Sequence, residues 1–372
     1  MKIGIDGTRG INKKAGIGRY TRNLAYEMAR MDGTDAAFLF TAVRQKHAKD
    51  KEIKRLIGKR RYVFKSIPGE WKNALWGWPI SIADIWLRGV DLWHAPSIWE
   101  APLSTRRKLV ATIHDLTPFL FSDLRGEKVS RNQQKRTIRV AKRADRLICI
   151  SQSTADDLVK FVPEAKGKIS IVPLGVEDRF CPLPYVKKEK IILTVGTVEP
   201  RKNLILLFRA FLALPMSLQK EYKIWVVGAR GWRESSTLNV AEALGDKVEF
   251  LGYVNDQKLV EMYNHAEVFA FPSLYEGFGL PLLEAMACGL PIVANKISSV
   301  PEVVGDAAML LRDDAESWSA GLARVLTDAN LRSKMRLAGL RRVKQFTWQK
   351  MAQETVKIYQ DVNNSSSGSS SL

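Results

Sequence analysis

Short apolar runs alternate with longer segments of helical periodicity along most of the chain. Apolar runs bounded by turn residues are typical of buried strands, and apolar residues that recur every three to four positions indicate amphipathic helices. Strands and helices in alternation predict a parallel sheet with helices on both faces. The predicted strands of the first half are Lys2–Asp6, Ala36–Val43, Arg61–Ile67, Leu92–Ala95, Leu109–Ile113, Leu147–Ile150 and Ile169–Pro173.

A second alternating series begins after the stretch 175–190, which contains two prolines and a charge run but no periodicity and which we interpret as a linker. A chain of 372 residues is long enough for two domains that each bury a core. We therefore predict an α/β protein with two doubly wound domains, at 1–180 and 181–346, and a disordered serine-rich tail at 363–372. The predicted strands of the second series are Ile191–Val195, Ile224–Val227, Val248–Leu251, Val268–Phe271 and Pro291–Ala294.

Positive charge is concentrated in the first half of the chain. Residues 1–185 carry 35 Lys and Arg against 19 Asp and Glu, and residues 186–372 carry 23 against 20, so +16 of the net charge of +19 lies in the first half. We expect an extended anionic partner there: a membrane surface, a nucleic acid or an acidic glycan. Because no recognised nucleic-acid-binding motif accompanies the charge, a basic nucleic-acid-binding protein is the disfavoured alternative.

A basic segment in this half precedes a cluster of tryptophans. Residues 46–65 are rich in Lys and Arg, and six of the ten tryptophans lie between residues 71 and 99. Basic residues beside indoles suit an anionic membrane surface, and the alternative is that the indoles pack in the core. The first residues have the pattern of a strand and not of the apolar segment of a signal peptide, so we expect no signal peptide. No run approaches the roughly 20 apolar residues that span a bilayer, and no C-x-x-C pair is present. We expect a cytoplasmic protein, peripheral on the inner face of the plasma membrane.

The densest chemical signal is the segment Ser273–Glu284, in which a strand leads through a glycine-bearing loop into a helix. Pro281 fits the first turn of that helix, and the free backbone N–H groups at such a helix start form an anion site. Two carboxylates nearby, Glu276 and Glu284, suggest recognition of hydroxyl groups, as on sugars or ribose. The alternative is a helix-capping turn with two solvated glutamates.

A second strand end carries adjacent cations. Arg201 and Lys202 follow Gly196, with Asn203 as a plausible helix cap, and the C-terminal edge of an open α/β sheet is where ligands bind. The alternative is a basic surface turn. Such cations can neutralise a phosphate leaving group without a metal ion. We expect no metal site, because D-x-D and Walker A sequences are absent and the four histidines are scattered.

Two motifs in the first half complete the set. Gly16-Ile17-Gly18 starts a helix but lacks the third glycine of a dinucleotide fingerprint, so it is weak evidence for NAD. His114-Asp115 follows a predicted strand and therefore also lies at the C-terminal edge of a sheet. A histidine in that position is a candidate substrate contact, whereas an isolated histidine is more often structural.

Together these motifs resemble the retaining glycosyltransferases of family 4, which have the GT-B fold of two Rossmann-like domains facing across a cleft. The resemblance covers about residues 1–360. It rests on Arg201-Lys202-Asn203, on Glu276-Gly277-Phe278-Gly279-Leu280-Pro281 with Glu284, on 15–20, on His114-Asp115 and on 298–308. The resemblance also implies that the last helix, 347–361, crosses back onto the N-terminal domain, which would bind the acceptor.

The resemblance implies a role for each matching residue. Arg201 and Lys202 would hold the donor diphosphate, Glu284 would bind the ribose hydroxyls, Glu276 would touch the hydroxyls of the transferred sugar, and His114 would lie near the reacting carbon. The other donor contacts that it implies are Gly16, Tyr253, Val254, Gly277, Phe278 and Gly279.

The resulting hypothesis is a metal-independent, retaining glycosyltransferase that moves a hexose from a sugar nucleotide to a lipid-linked or cell-surface glycan. Mannose from GDP-mannose is the first choice, because the N-terminal signature looks most like bacterial mannosyltransferases of polysaccharide assembly. A UDP-sugar donor is the alternative, since one fold serves many sugars. No cofactor is expected, because the sugar nucleotide is a substrate.

Overall fold

The structure is a computed structural model that describes residues 1–12, 16–41, 46–67, 71, 75–76, 78–231 and 235–365. The chain divides into two compact units. The first comprises Met1–Leu174 together with the chain from Trp348 onward, and the second comprises Gly175–Thr347.

The first unit is built on a seven-stranded parallel sheet with the strand order β3-β2-β1-β4-β5-β6-β7. Its strands are β1 (Lys2–Asp6), β2 (Asp35–Thr41), β3 (Tyr62–Lys65), β4 (Leu92–Ala95), β5 (Lys108–Ile113), β6 (Arg146–Cys149) and β7 (Ile169–Ile171). The helices before the second unit are α1 (Thr8–Asn12), α2 (Ile17–Arg30), α3 (Lys46–Ile57), α4 (Ile82–Trp86), α5 (Thr117–Leu120), α6 (Ser122–Arg125), α7 (Glu127–Arg143) and α8 (Gln152–Phe161).

The second unit repeats this plan with six parallel strands in the order β10-β9-β8-β11-β12-β13. Its strands are β8 (Ile191–Val195), β9 (Lys223–Val227), β10 (Val248–Gly252), β11 (Val268–Phe271), β12 (Ile292–Asn295) and β13 (Ala308–Leu311). Its helices are α9 (Leu204–Leu212), α10 (Met216–Glu221), α11 (Ser235–Glu242), α12 (Asp256–His265), α13 (Leu280–Ala287), α14 (Val300–Val304), α15 (Ala315–Thr327) and α16 (Ala329–Val343).

The last helix, α17 (Trp348–Asn364), belongs to the first unit, where it packs against α2 and β5. It buries one face, which includes Met351, Thr355 and Tyr359. The disordered tail was predicted to start at residue 363, but the helix continues to Asn364. Residues 366–372 lie outside the described part of the chain.

Both sheets confirm the prediction of doubly wound α/β domains. In each, the chain starts in the middle of the sheet, builds outward to one edge and then returns to build the other side. The reversal occurs between β1 and β4 in the first sheet and between β8 and β11 in the second. Ligands of open α/β sheets bind beside the carboxyl ends of the strands at such a reversal.

Candidate functional site

The basic turn predicted at Arg201 and Lys202 lies at the reversal point of the second sheet. It follows β8 and contains a short 3₁₀ helix, Pro200–Lys202, before α9 begins at Leu204. The start of this turn lies very close to the backbone that follows β9. A Cβ on Gly228 would lie only 2.0 Å from the Gly196 carbonyl oxygen. Glycine is therefore needed at Gly228 for steric reasons.

The turn and the glycine-bearing loop meet in a buried ion-pair cluster. Glu276 Oε1 lies 2.5 Å from Lys202 Nζ and 3.0 Å from an Arg201 terminal nitrogen. Glu199 Oε1 lies 2.9 Å from Arg201 Nε and 2.7 Å from its other terminal nitrogen. Arg201 also donates to the Tyr275 carbonyl oxygen at 2.7 Å. The structure thus brings together three predicted site residues, Arg201, Lys202 and Glu276.

Burial sets the ionisation of this cluster. The side chains of Lys202 and Glu276 are 12% and 11% exposed. Burial by itself would raise the pKa of Glu276, but Lys202 and Arg201 lower that pKa to about 2. Burial lowers the pKa of Lys202, and the Glu276 carboxylate opposes that shift. The pair is an ammonium beside a carboxylate, and each ion reduces the cost of burying the other.

The loop that carries Glu276 is fixed through its backbone. The Glu276 N–H donates to Ser298 Oγ at 3.0 Å, and the Ser299 hydroxyl donates to the carbonyl oxygens of Glu276 and Phe278 at 2.9 Å. Gly279 adopts a positive φ of 104° directly before α13, so the predicted Gly277–Gly279 segment leads into the start of that helix. Helix starts of this kind present backbone N–H groups to anions.

The second predicted carboxylate, Glu284, lies within α13 and is buried. Its Oε2 accepts a hydrogen bond from the Tyr263 hydroxyl at 2.9 Å. Pro281 lies in the first turn of α13, as predicted. Glu284 therefore has a fixed orientation, set by a tyrosine of α12 that has no local signal in the sequence.

Asn203 occupies the predicted N-cap position of α9, but its side chain does not cap the helix. The residue adopts a left-handed conformation with φ 51°, and its side chain makes no cap hydrogen bond. The Asn203 amide instead donates to Asp313 Oδ1 at 2.8 Å, and the same oxygen accepts from Asn295 at 3.1 Å. The amide therefore links the basic turn to the segment after β13.

The predicted base contacts lie at another strand end. Tyr253 and Val254 follow β10 directly, after Gly252 with a positive φ of 65°. The Tyr253 ring is 62% exposed and is available to stack on a planar ligand, whereas Val254 is half-buried.

In the first unit, the predicted residues Gly16 and His114 both contact Tyr20. Gly16 precedes α2, its carbonyl oxygen accepts from the Tyr20 N–H, and the Tyr20 ring packs edge-on against the His114 ring with centroids 4.9 Å apart. His114 Nε2 donates to the Pro96 carbonyl oxygen at 2.7 Å, so the proton lies on Nε2 and Nδ1 is the acceptor. Burial lowers the pKa of His114 to about 4.

A buried hydrogen-bonded chain lies behind His114 and was not foreseen from the sequence. The Tyr20 and Thr112 hydroxyls are 2.8 Å apart, and Thr112 Oγ1 lies 2.9 Å from His94 Nε2. The other ring nitrogen of His94 contacts the hydroxyl of Tyr359 on α17. The chain ties α2, two sheet strands and the last helix to the wall behind His114.

The tryptophan-rich segment is divided between core and surface. Trp76 and Trp93 are buried, whereas Trp71 and Trp78 are 68% and 55% exposed. Ile80 and Ile85 are exposed as well. The core interpretation is therefore confirmed for Trp76 and Trp93, and membrane contact of the exposed indoles stays a prediction.

Within the residues that the structure describes, no group of three or more His, Cys, Asp or Glu side chains is arranged to hold a metal ion. In the same part of the chain, no helix is both long and apolar enough to cross a bilayer.

Two family models match the sequence, one for each half. The model described as "Glycosyltransferase Family 4" matches residues 15–180, and the one described as "Glycosyl transferases group 1" matches residues 178–342. O-antigen chain mannosyltransferase B of Escherichia coli is 31% identical over 283 residues, which is 72% of this chain and 74% of that protein. Serotype-specific mannosyltransferase WbdA of E. coli is 30% identical over 259 residues, which is 65% of this chain but only 32% of that longer protein.

Solved structures share the fold. Sucrose-phosphate synthase from Thermosynechococcus elongatus aligns with a TM-score of 0.77 at 20% identity, over 98% of this chain and all of that one. HepE from Anabaena, solved with UDP and glucose, aligns with a TM-score of 0.74 at 18% identity, over 97% of this chain and all of that one. At these identities the likeness concerns the fold alone.

Proposed function

Because the chain belongs to the family 4 glycosyltransferases and has their GT-B fold, we propose that this hexosyltransferase retains the anomeric configuration of its donor and needs no metal ion. Its donor is a sugar nucleotide, and its acceptor is a lipid-linked or cell-surface glycan. The observation that carries the proposal is the pair of buried cations, Arg201 and Lys202, beside Glu276 at the carboxyl edge of the second sheet.

The cations suit the leaving group. As a nucleoside diphosphate departs, negative charge develops on its phosphate oxygens, and preorganised donors stabilise that charge without reorganisation of solvent. Arg201 and Lys202 supply fixed positive charge, and the Gly277–Gly279 segment supplies backbone N–H groups at the start of α13. With this charge in the protein, the phosphates need no bound metal.

The remaining residues suit the sugar and the nucleoside. Glu276 accepts hydrogen bonds from hydroxyls of the transferred sugar, and Glu284, held by Tyr263, accepts them from the ribose. Tyr253 and Val254 flank the base. His114 carries its proton on Nε2, so its Nδ1 accepts a hydrogen bond from a sugar hydroxyl, and Gly16 leaves room for the diphosphate.

The reaction proceeds on one face of the sugar. The glycosidic bond to the diphosphate breaks as the acceptor hydroxyl attacks, and the proton of that hydroxyl passes to the leaving phosphate oxygen. The sugar retains its configuration in this way without a covalent intermediate. The described carboxylates of the cluster serve as hydrogen-bond acceptors and counter-ions.

Mannose from GDP-mannose is the proposed donor, because mannosyltransferases are prominent among the relatives. A UDP-sugar is the second candidate, which the likeness to the UDP-bound HepE structure favours. The O-antigen activity in the name of the first relative supports polysaccharide assembly, including lipopolysaccharide, as the setting. We place the protein in the cytoplasm, on the inner face of the plasma membrane.

A donor screen tests the proposal. The full chain is incubated with GDP-mannose, UDP-glucose and other sugar nucleotides in chelator, and release of nucleoside diphosphate is measured. Turnover should persist in chelator, and NMR of the product should show the donor's anomeric configuration. An absolute requirement for divalent metal, or an inverted product, contradicts the proposal.

A substitution connects this activity to the site. Lys202→Ala removes a charge-assisted contact to the leaving group, and we expect it to cost about 3 kcal/mol, on the order of a hundredfold in rate. Lys223→Ala, which removes an exposed lysine of the same unit, is the matched control. Equal rates for both folded variants would place the donor site elsewhere.

A further inference from the structure

We infer that the Glu276 carboxylate is a counter-ion that occupies the diphosphate position in the free enzyme and that donor binding displaces it toward the transferred sugar. The inference rests on the proposed function. It gives one carboxylate two successive partners, first the cations and then the sugar hydroxyls, and it couples binding of the phosphates to recognition of the sugar.

The two cations that a diphosphate would need already share one carboxylate oxygen. Lys202 Nζ and Arg201 both approach the same oxygen, Glu276 Oε1. Arg201 in addition donates to Glu199 and to the Tyr275 carbonyl oxygen, so four of its five N–H groups are accounted for. A phosphate oxygen that bridges both cations in the same way would take the place of Glu276 Oε1.

Charge favours the exchange. Two carboxylates, Glu199 and Glu276, balance the two cations in the free cluster, so a diphosphate would meet no net positive charge there. Once Glu276 turns away, the bound phosphates take over its role as counter-ion for the buried Lys202. A buried cation is costly without a partner, so the carboxylate serves the free enzyme and the phosphates serve the complex.

The displacement requires rotation of the Glu276 side chain and no movement of its backbone. The main chain of Glu276 is held on both sides by the hydroxyls of Ser298 and Ser299. Rotation of the Glu276 side chain therefore redirects the carboxylate without a loop rearrangement. The Glu199 carboxylate, by contrast, pairs with Nε and a terminal nitrogen of Arg201, so it keeps its partner when a phosphate binds.

Glu276→Gln separates the two roles, because it removes the competing charge and keeps the shape. We expect full-length Glu276→Gln to bind free GDP or free UDP, whichever the wild type binds, about tenfold more tightly. The affinity of the variant for the corresponding sugar nucleotide should rise by a smaller factor or should fall, since the variant has lost a charged acceptor for the sugar hydroxyls. Glu199→Gln is the matched control, for which the free diphosphate and the sugar nucleotide should change by equal factors.

Isothermal titration calorimetry at one ionic strength measures these affinities, with thermal unfolding to verify each fold. Glu276→Asp, which keeps the charge, should not bind the free diphosphate more tightly than the wild type. If Glu276→Gln binds it no more tightly than the wild type, or gains equally for both ligands, the displacement is overturned while the donor site stands. Wild-type protein that binds neither GDP nor UDP would overturn the donor site and the displacement together.

Discussion

At the residue scale, the protonation state of His114 distinguishes a hydrogen-bonding role from a proton-transfer role. Burial lowers the pKa of His114 to about 4 from an ordinary 6.5, against a weaker opposing effect of the Pro96 carbonyl. The imidazole is therefore neutral at neutral pH. We expect the pH–rate profile of the wild type to show no acid limb near pH 6.5 from this residue. A limb near pH 6.5 that disappears in His114→Gln would contradict this role.

The lowered pKa of His114 also makes the stability of the fold depend on pH. The unfolded chain takes up a proton on His114 below about pH 6.5, whereas the folded chain does so only near pH 4, so the free energy of unfolding falls as the pH drops through this window. Urea unfolding of the wild type and of His114→Gln at pH 7 and pH 5 measures the difference, and the variant should lose less. His94, with its pKa lowered by burial to about 3, acts in the same direction in both proteins.

The candidate site could be predicted from the sequence where its chemistry lies at strand ends. Arg201, Lys202 and Glu276 belong to two short motifs, and their meeting follows from the neighbouring positions of β8 and β11. The support of Glu284 by Tyr263 and the chain behind His114 could not be predicted. Those contacts join residues far apart in sequence, and a local pattern carries no information about them.

At the scale of elements, the close approach of two turns controls the position of the cations. A Cβ on Gly228 would lie 2.0 Å from the Gly196 carbonyl oxygen, and the turn that carries Arg201 and Lys202 would have to shift. We expect Gly228→Ala to cost about 1–3 kcal/mol of stability and to weaken nucleotide binding at least tenfold. Denaturant unfolding and calorimetric titration measure the two effects.

Gly245→Ala is the control for this substitution, because no heavy atom lies within 4 Å of a Cβ there and only its positive φ of 52° opposes alanine. It should cost about 1 kcal/mol and leave nucleotide binding unchanged. Unaltered nucleotide binding in Gly228→Ala would mean that the turn adapts without moving the cations.

The prediction of elements succeeded where strands are buried on both faces. β5 and β11 are such strands, and each reads as a continuous apolar run. The edge strand β13 was missed, because its sequence is an apolar run of only four residues, and periodicity alone cannot distinguish so short a run from a helix segment. The end of β2 lies at Thr41, and the predicted positions 42 and 43 lie outside the described residues.

At the scale of the whole molecule, the division of charge predicts which half meets an anionic surface. Lys51, Lys59 and Arg61 are exposed, whereas Arg60 donates to carbonyl oxygens at the end of α2 and is structural. Because each basic residue near an anionic bilayer contributes about 1 kcal/mol, we expect Lys51→Glu, Lys59→Glu and Arg61→Glu together to release the protein from anionic liposomes. Nucleotide binding should be unaffected.

Co-sedimentation at low and high salt measures this binding, which should weaken as the Debye length falls from about 10 Å at 0.1 M to about 3 Å at 1 M. The control carries the same charge change on the second unit, with Glu in place of the exposed Lys220, Lys334 and Lys344. Wild-type protein that stays in the supernatant with anionic vesicles at low salt would indicate a soluble acidic acceptor instead.

The return of α17 to the first unit affects the order in which the chain is assembled during translation. The second unit is one continuous stretch, so it is complete as soon as Thr347 has left the ribosome. The first unit, although made earlier, lacks the helix that covers α2 and supplies Tyr359 to His94. Domains generally fold in the order of their synthesis. Here the half that is translated first finishes last, because its final helix leaves the ribosome only after the whole of the second unit.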